Sequence, residues 1–135
     1  MVKIKRACKP GETNVNGITY DLESYNEALK RFGETIKYGM PVELISQEQY
    51  QEHLKNQYYF VDPEKCCGKI IDIYDDYIDI EPNSTYSGKL LMNLINRGIE
   101  LNAFMRYIGD KDQTTKVLKV INIITFDIME AINCA

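Results

Sequence analysis

The chain is poor in the side chains on which most acid-base and metal chemistry depends. It has one histidine, His53, and no tryptophan among its 135 residues. Histidine is the side chain that ordinarily titrates near neutral pH, so a site built on several histidines is excluded. Any catalytic use of imidazole in this chain would depend on His53 alone.

Long apolar runs and an excess of basic charge are also missing. No stretch approaches the roughly 20 apolar residues that a membrane-spanning helix needs, and the N-terminal basic residues precede no apolar segment. We therefore expect no membrane partner and a cytoplasmic location. The net charge is -4 and the isoelectric point is about 5.0. Without a basic field, double-stranded nucleic acid is an unlikely partner.

The cysteines form no recognisable framework. The chain has four of them, Cys8, Cys66, Cys67 and Cys134. Their spacing matches neither the disulfide pattern of a small secreted protein nor the paired CxxC motifs of a zinc site. We interpret all of them as reduced thiols and predict no metal and no cofactor.

The remaining composition is that of an ordinary folded domain. Hydrophobic residues make up 44% of the chain and charged residues 27%, with no linker or internal repeat. These values are typical of one globular domain with one core, so we predict a single domain over 1–135.

Apolar periodicity and capping residues predict the order of helices and strands. Leu22, Tyr25 and Leu29 recur at helical spacing, and Ser46 followed by Gln49 has the spacing of a capping box. Other segments alternate apolar and polar residues, as strands do. The predicted elements are a strand at 2–8, a helix from 21 to 39, a strand at 40–46, a helix at 47–56, a hairpin within 58–82, a helix between 85 and 98, and strands at 99–110 and 115–129.

Strands that occur in runs, without strict alternation with helices, indicate the fold class. We predict an α+β fold, a mostly antiparallel β-sheet or small β-barrel of about six or seven strands with two or three flanking helices.

Four segments occur in an order found in a known family. NVNGITY at 14–20 is similar to an N-x-N-G-R-x-Y corner, and DPEKCCGKIIDIYDDYIDIEPN at 62–83 to a G-x-V strand and hairpin. GKLLMNLINRGIELNAFMRYIGD at 88–110 is similar to a helix, glycine and strand with an S-S-R-G motif, and VLKVINIITFDIM at 117–129 to a final strand ending in FD. In this order the segments resemble the tailed-phage prohead proteases, which share a β-barrel fold with herpesvirus assemblins.

The catalytic positions of that family are replaced in this chain. The resemblance places the nucleophilic serine at Phe104 or Met105, with Arg106 retained and Tyr107 in place of the glycine. The family histidine lies in a G-E-x-x-H-P segment, where this chain has GMPVELIS and no histidine; His53 lies a few residues later. Because neither phenylalanine nor methionine can attack a carbonyl, the resemblance implies a pseudoenzyme.

Two functional hypotheses follow from these replacements. The first is a phage accessory protein of the host cytoplasm that binds capsid or scaffold protein and forms a homo-oligomer through an exposed strand edge or a tyrosine-rich face. The alternative is a viral inhibitor of host antiphage defence that sequesters a small anionic ligand such as a signalling nucleotide. The candidate ligand- or partner-binding residues are Arg106, Tyr107, Asn14, Asn16 and Tyr20.

Other residues leave further interpretations open. Arg106, in the middle of a predicted strand, either reaches solvent or presents its guanidinium to a carboxylate or a phosphate. A relocated nucleophile at Cys66 or Cys67, with His53 as base, is a minor alternative. The acidic segment 72–81 is interpreted as a solvated hairpin tip, because it lacks the spacing of a calcium loop.

Overall fold

The described part of the chain folds into seven strands and three helices. The structure is a computed structural model, and it describes residues 1–9, 11–13, 17–36, 39–56 and 60–130. The strands are β1 (Val2–Arg6), β2 (Thr19–Tyr20), β3 (Met40–Leu44), β4 (Cys66–Ile73), β5 (Tyr77–Pro82), β6 (Leu101–Lys111) and β7 (Val117–Glu130). The helices are α1 (Leu22–Ile36), α2 (Gln47–Asn56) and α3 (Tyr86–Asn96).

Six of the strands close into a barrel in the order β7, β3, β4, β5, β1, β6, because β6 also pairs with β7. Neighbours pair antiparallel except β1 with β6 and β3 with β7, which are parallel. The short β2 adds to β7 outside the barrel. The prediction of an α+β fold with a small barrel and flanking helices is confirmed; the two-residue β2 was not predicted.

The ends of the helices follow the capping signals in the sequence. The Ser46 N–H donates to Gln49 Oε1 at 2.9 Å and the Gln49 N–H to Ser46 Oγ at 3.2 Å, so the predicted capping box opens α2. Thr85 caps α3 by accepting from the Gly88 N–H. Gly98, at a φ of +77°, follows the end of α3 in the left-handed conformation that glycine tolerates.

The two faces of the β6–β7 pair are buried in different ways. Ala103 lies opposite Ile128, and both side chains belong to the barrel core. Phe104 lies opposite Asp127 on the other face. There Phe104 and Met129 pack against Tyr50 of α2 in a second, smaller apolar cluster. Helix α2 therefore covers the outer face of β6 and β7.

The structure also tests the predictions for the acidic β4–β5 hairpin and for the cysteines. Asp72, Asp75, Asp76 and Glu81 are exposed, as expected for a solvated tip, whereas Asp79 is half-buried and its Oδ1 is shielded from solvent. Cys66 and Cys67 are free thiols, as predicted. Cys8 is disulfide-bonded, so the prediction of a reduced thiol there was wrong. Pairing of cysteines depends on distance in the fold, which sequence spacing does not encode. Cys134 lies outside the described residues.

None of the three helices that the structure describes is long and apolar enough to cross a lipid bilayer.

Candidate functional site

Four ionisable side chains meet beneath α2, on the outer face of the barrel. Glu43 of β3 lies beside Asp127 of β7 in the parallel register, and Arg106 of β6 shares this face. His53 of α2 closes the group from above. All four side chains are buried, with Arg106 and Asp127 at 0% exposure. We call these residues the buried ionic cluster.

Arg106 is the centre of the buried ionic cluster. Its Nε donates to Asp127 Oδ2 at 3.0 Å, and its Nη2 donates to Glu43 Oε2 at 2.7 Å and to Asp127 Oδ1. Its Nη1 donates to the carbonyl of Phe60 at 2.7 Å. Burial alone would lower the pKa of Arg106, but the hydrogen bonds and charges of Asp127 and Glu43 outweigh it and raise that pKa. The guanidinium therefore stays charged and is bound by two carboxylates and one backbone carbonyl.

The imidazole of His53 lies between the two carboxylates. Its Nδ1 is 3.6 Å from Asp127 Oδ2, and its Nε2 is 4.0 Å from Glu43 Oε1. Glu43 Oε1 is buried and accepts no hydrogen bond from the described residues, while Glu43 Oε2 also accepts from the Asp62 N–H. Two carboxylates facing one guanidinium leave one negative charge on the cluster when His53 is neutral.

The buried ionic cluster is also a set of potential metal ligands. Single ligand atoms of Glu43, His53 and Asp127 lie within 4.8 Å of one another. A zinc ion needs bonds of about 2.0–2.2 Å to such atoms. The ion would also have to compete with the guanidinium of Arg106, which is hydrogen-bonded to both carboxylates. These residues therefore fit a metal ion poorly.

The candidate binding residues that were predicted from the sequence lie in different surroundings. The guanidinium of Arg106 binds two carboxylates, which is one of the alternatives that the sequence left open. Because Arg106 is buried, it does not line a cleft that a phosphate could enter. The rings of Tyr20 and Tyr107 meet edge to face at 5.7 Å. Burial raises the pKa of Tyr107, and a hydrogen bond with Tyr20 offsets part of the rise. Asn14 and Asn16 lie outside the described residues.

The positions that the resemblance assigns to the nucleophile are packed. Phe104 is 1% exposed, and its ring lies 5.5 Å from the ring of Tyr50, centroid to centroid. The Tyr50 hydroxyl donates to the carbonyl of Met105 at 2.6 Å, and the Met105 side chain lies in the barrel core. Helix α2 thus fills the surface where a substrate carbonyl would have to approach.

Glu43 and Asp127 were not singled out from the sequence. Both interrupt strands that are otherwise apolar, in PVELI and ITFDIM. A carboxylate that interrupts an apolar strand indicates a buried partner, because an unpaired buried charge is too costly to keep. That signal could have marked Glu43 and Asp127 as buried and paired, but it does not name the partner.

The thiols of Cys66 and Cys67 both face backbone carbonyls. Cys67 is fully buried, its thiol faces the Val42 carbonyl at 3.7 Å, and burial raises its pKa to about 12. The Cys66 thiol is half-buried and faces the carbonyl of its near neighbour Gly68. Because the thiolate is the nucleophile, Cys67 is inert at neutral pH.

We expect iodoacetamide at pH 8 to alkylate Cys66 in the folded protein and to leave Cys67 unmodified. At a pKa of about 12, roughly one Cys67 thiol in ten thousand is ionised at that pH. Peptide mass spectrometry after a timed reaction measures both sites, and the unfolded chain, in which both react, is the control. Equal alkylation of the two cysteines in the folded protein would contradict this assignment.

No family model, no curated protein and no solved structure matches this chain. The likeness to prohead proteases therefore rests on the sequence motifs described above.

Proposed function

We propose that this protein is a non-catalytic phage accessory protein, related to the prohead proteases, that acts by binding capsid or scaffold protein. The observation that carries the proposal is the packing of Phe104. The resemblance assigns this position to a nucleophile, and here a buried aromatic ring occupies it under α2. A surface packed in this way cannot position a peptide carbonyl for attack.

The buried ionic cluster supports the same proposal. Acyl transfer needs a nucleophile within about 2.6–3.2 Å of a base. The two nitrogens of His53 face Asp127 and Glu43, at 3.6 and 4.0 Å. Neither Phe104 nor Met105, at the positions that the resemblance assigns to the nucleophile, has a hydroxyl or thiol that a base could activate. Arg106 joins β3, β6, β7 and the segment at Phe60 through its hydrogen bonds. In this arrangement the charged residues hold the barrel and α2 together and do not act on a substrate.

The alternative hypothesis, sequestration of a small anion, depends on Arg106 as the residue that binds the anion. A phosphate at Arg106 would have to break ion pairs with Asp127 and Glu43, and Arg106 is 0% exposed. Separating a buried pair costs about 3–5 kcal/mol, which a single phosphate contact does not recover. No other feature of the described residues favours an anionic ligand over a protein partner.

Co-elution from a size-exclusion column tests the proposed function. The purified protein is mixed with the capsid protein, or with the scaffold protein, of the phage genome that encodes it. We expect co-elution with one of the two, and none with the capsid protein of an unrelated phage. Separate elution from both partners at concentrations of about 100 μM, far above the range of specific complexes, would contradict the proposal.

A further inference from the structure

An open apolar groove lies next to the buried ionic cluster, on the side of α3. Its volume is about 630 Å³. One wall is formed by Leu90 and Leu94, one turn apart on α3, together with Ile99. The floor includes Leu44 of β3 and Leu101 of β6, and the segment that opens α2 forms the other wall. We call this feature the α2–α3 groove.

The α2–α3 groove has the size and lining of a binding site. Its volume falls within the roughly 300–1,000 Å³ of ordinary ligand pockets. Leu90 is 38% exposed, whereas most leucine side chains are buried. It lines the groove together with other apolar side chains. An occupant that covers Leu90, Leu94 and Ile99 would remove apolar surface from water, at about 25 cal/mol for each Å².

The shape of the groove excludes one simple occupant, the same surface of a second copy. In a two-fold dimer the same patch faces itself, and two concave grooves cannot fill each other. Insertion of a protruding residue elsewhere on the chain, such as Tyr86 at 80% exposure, would give a head-to-tail contact, which builds a ring or an open filament and not a two-fold dimer. The groove therefore does not suit a two-fold dimer through this surface, and we expect its occupant to be a convex element of a different protein.

The charge around the groove indicates what that element carries. Glu130, exposed at the end of β7, is the one charged side chain among the described residues that line the groove. A basic residue beside the apolar anchors of the partner would complement Glu130.

We propose that the α2–α3 groove binds an amphipathic helix of the partner protein, through apolar anchors spaced one turn apart and a lysine or arginine that faces Glu130. Leu90 and Leu94, at i and i+4, match the spacing by which such a helix presents its anchors. This inference rests on the proposed function and names the kind of surface that the partner contributes.

Two synthetic helical peptides of about 18 residues, or five turns, test the groove. Both carry leucines at i, i+4 and i+7 on one face; one has lysines on its flanks and the other has glutamates. We expect the lysine peptide to bind with a dissociation constant in the micromolar range by fluorescence anisotropy, and the glutamate peptide to bind at least about tenfold more weakly. Chemical shift changes in NMR spectra are expected at α3 and the start of α2.

Substitutions at the groove locate the binding. Leu90→Asp is expected to weaken binding of the lysine peptide by about tenfold or more. Leu22→Asp is the matched control, because Leu22 is 56% exposed on α1 and does not line the groove. Glu130→Lys is expected to reverse the preference between the two peptides. Circular dichroism confirms that each variant is folded.

Binding that is unchanged by Leu90→Asp, or that ignores the charge of the peptide, would overturn the inference. The experiments distinguish failure of the groove inference from failure of the proposed function. If Leu90→Asp still co-elutes with the capsid or scaffold protein, the groove inference fails and the proposed function stands. If neither protein co-elutes but the lysine peptide binds in the groove, the proposed function fails and the groove inference stands.

Discussion

Arg106→Met is expected to lower the free energy of unfolding by about 3–5 kcal/mol, because it leaves Asp127 and Glu43 buried without their cation. Both carboxylates are at most 1% exposed, so water cannot replace the guanidinium. Lysine is not expected to rescue the position, since one ammonium cannot reproduce bonds to two carboxylates and the Phe60 carbonyl. Urea denaturation followed by circular dichroism measures the change.

A matched variant separates this loss from the general effect of removing an arginine. Arg97 is exposed just after α3, so Arg97→Met should change the free energy of unfolding by no more than about 0.5 kcal/mol. Replacing Arg106, Glu43 and Asp127 together by apolar residues should recover part of the loss, because no unpaired charge is then buried. A loss below about 1 kcal/mol for Arg106→Met would mean that the ionic cluster does not hold these elements together.

Phe104→Ala is expected to cost about 3–5 kcal/mol, the range found when a fully buried phenylalanine is truncated. The ring packs against Tyr50 and belongs to the apolar cluster that fixes α2 on the barrel. We therefore also expect faster amide hydrogen exchange in α2 than in the wild-type protein. Thermal and denaturant unfolding measure the stability, and exchange mass spectrometry measures the local effect.

Tyr86→Ala is the control for Phe104→Ala. Tyr86 is also aromatic but is 80% exposed on α3, so its truncation should change stability by no more than about 0.5 kcal/mol. If Phe104→Ala lowered the stability as little as Tyr86→Ala, the side chain at position 104 would be exposed and not packed. The argument against a nucleophile there would then lose its main support.

Local signals in the sequence were sufficient for most elements of the fold. The apolar stripe from Leu22 predicted α1, the Ser46 and Gln49 pair predicted the start of α2, and the segment between 85 and 98 predicted α3. Such signals act within one or two turns of the chain, so they can be interpreted without knowledge of the fold. The runs of strands then limited the architecture to a sheet or a small barrel.

The candidate site required contacts that no local signal encodes. Arg106 is 63 residues from Glu43 and 21 from Asp127 along the chain, and the three side chains meet only because of the strand order and register. A mid-strand arginine was therefore noticed, but its partners could not be identified. The disulfide of Cys8 escaped prediction for the same reason, since pairing depends on distance in the folded chain.

The mass of the partner after prolonged incubation tests most directly whether this protein binds without cutting. The capsid or scaffold protein is incubated with a molar excess of the wild-type protein, the complex is isolated, and intact-mass spectrometry is applied to the partner. The account predicts a partner that is retained in the complex and unchanged in mass. A partner cut at a defined bond, by the wild-type protein but not after alkylation of Cys66, would contradict it.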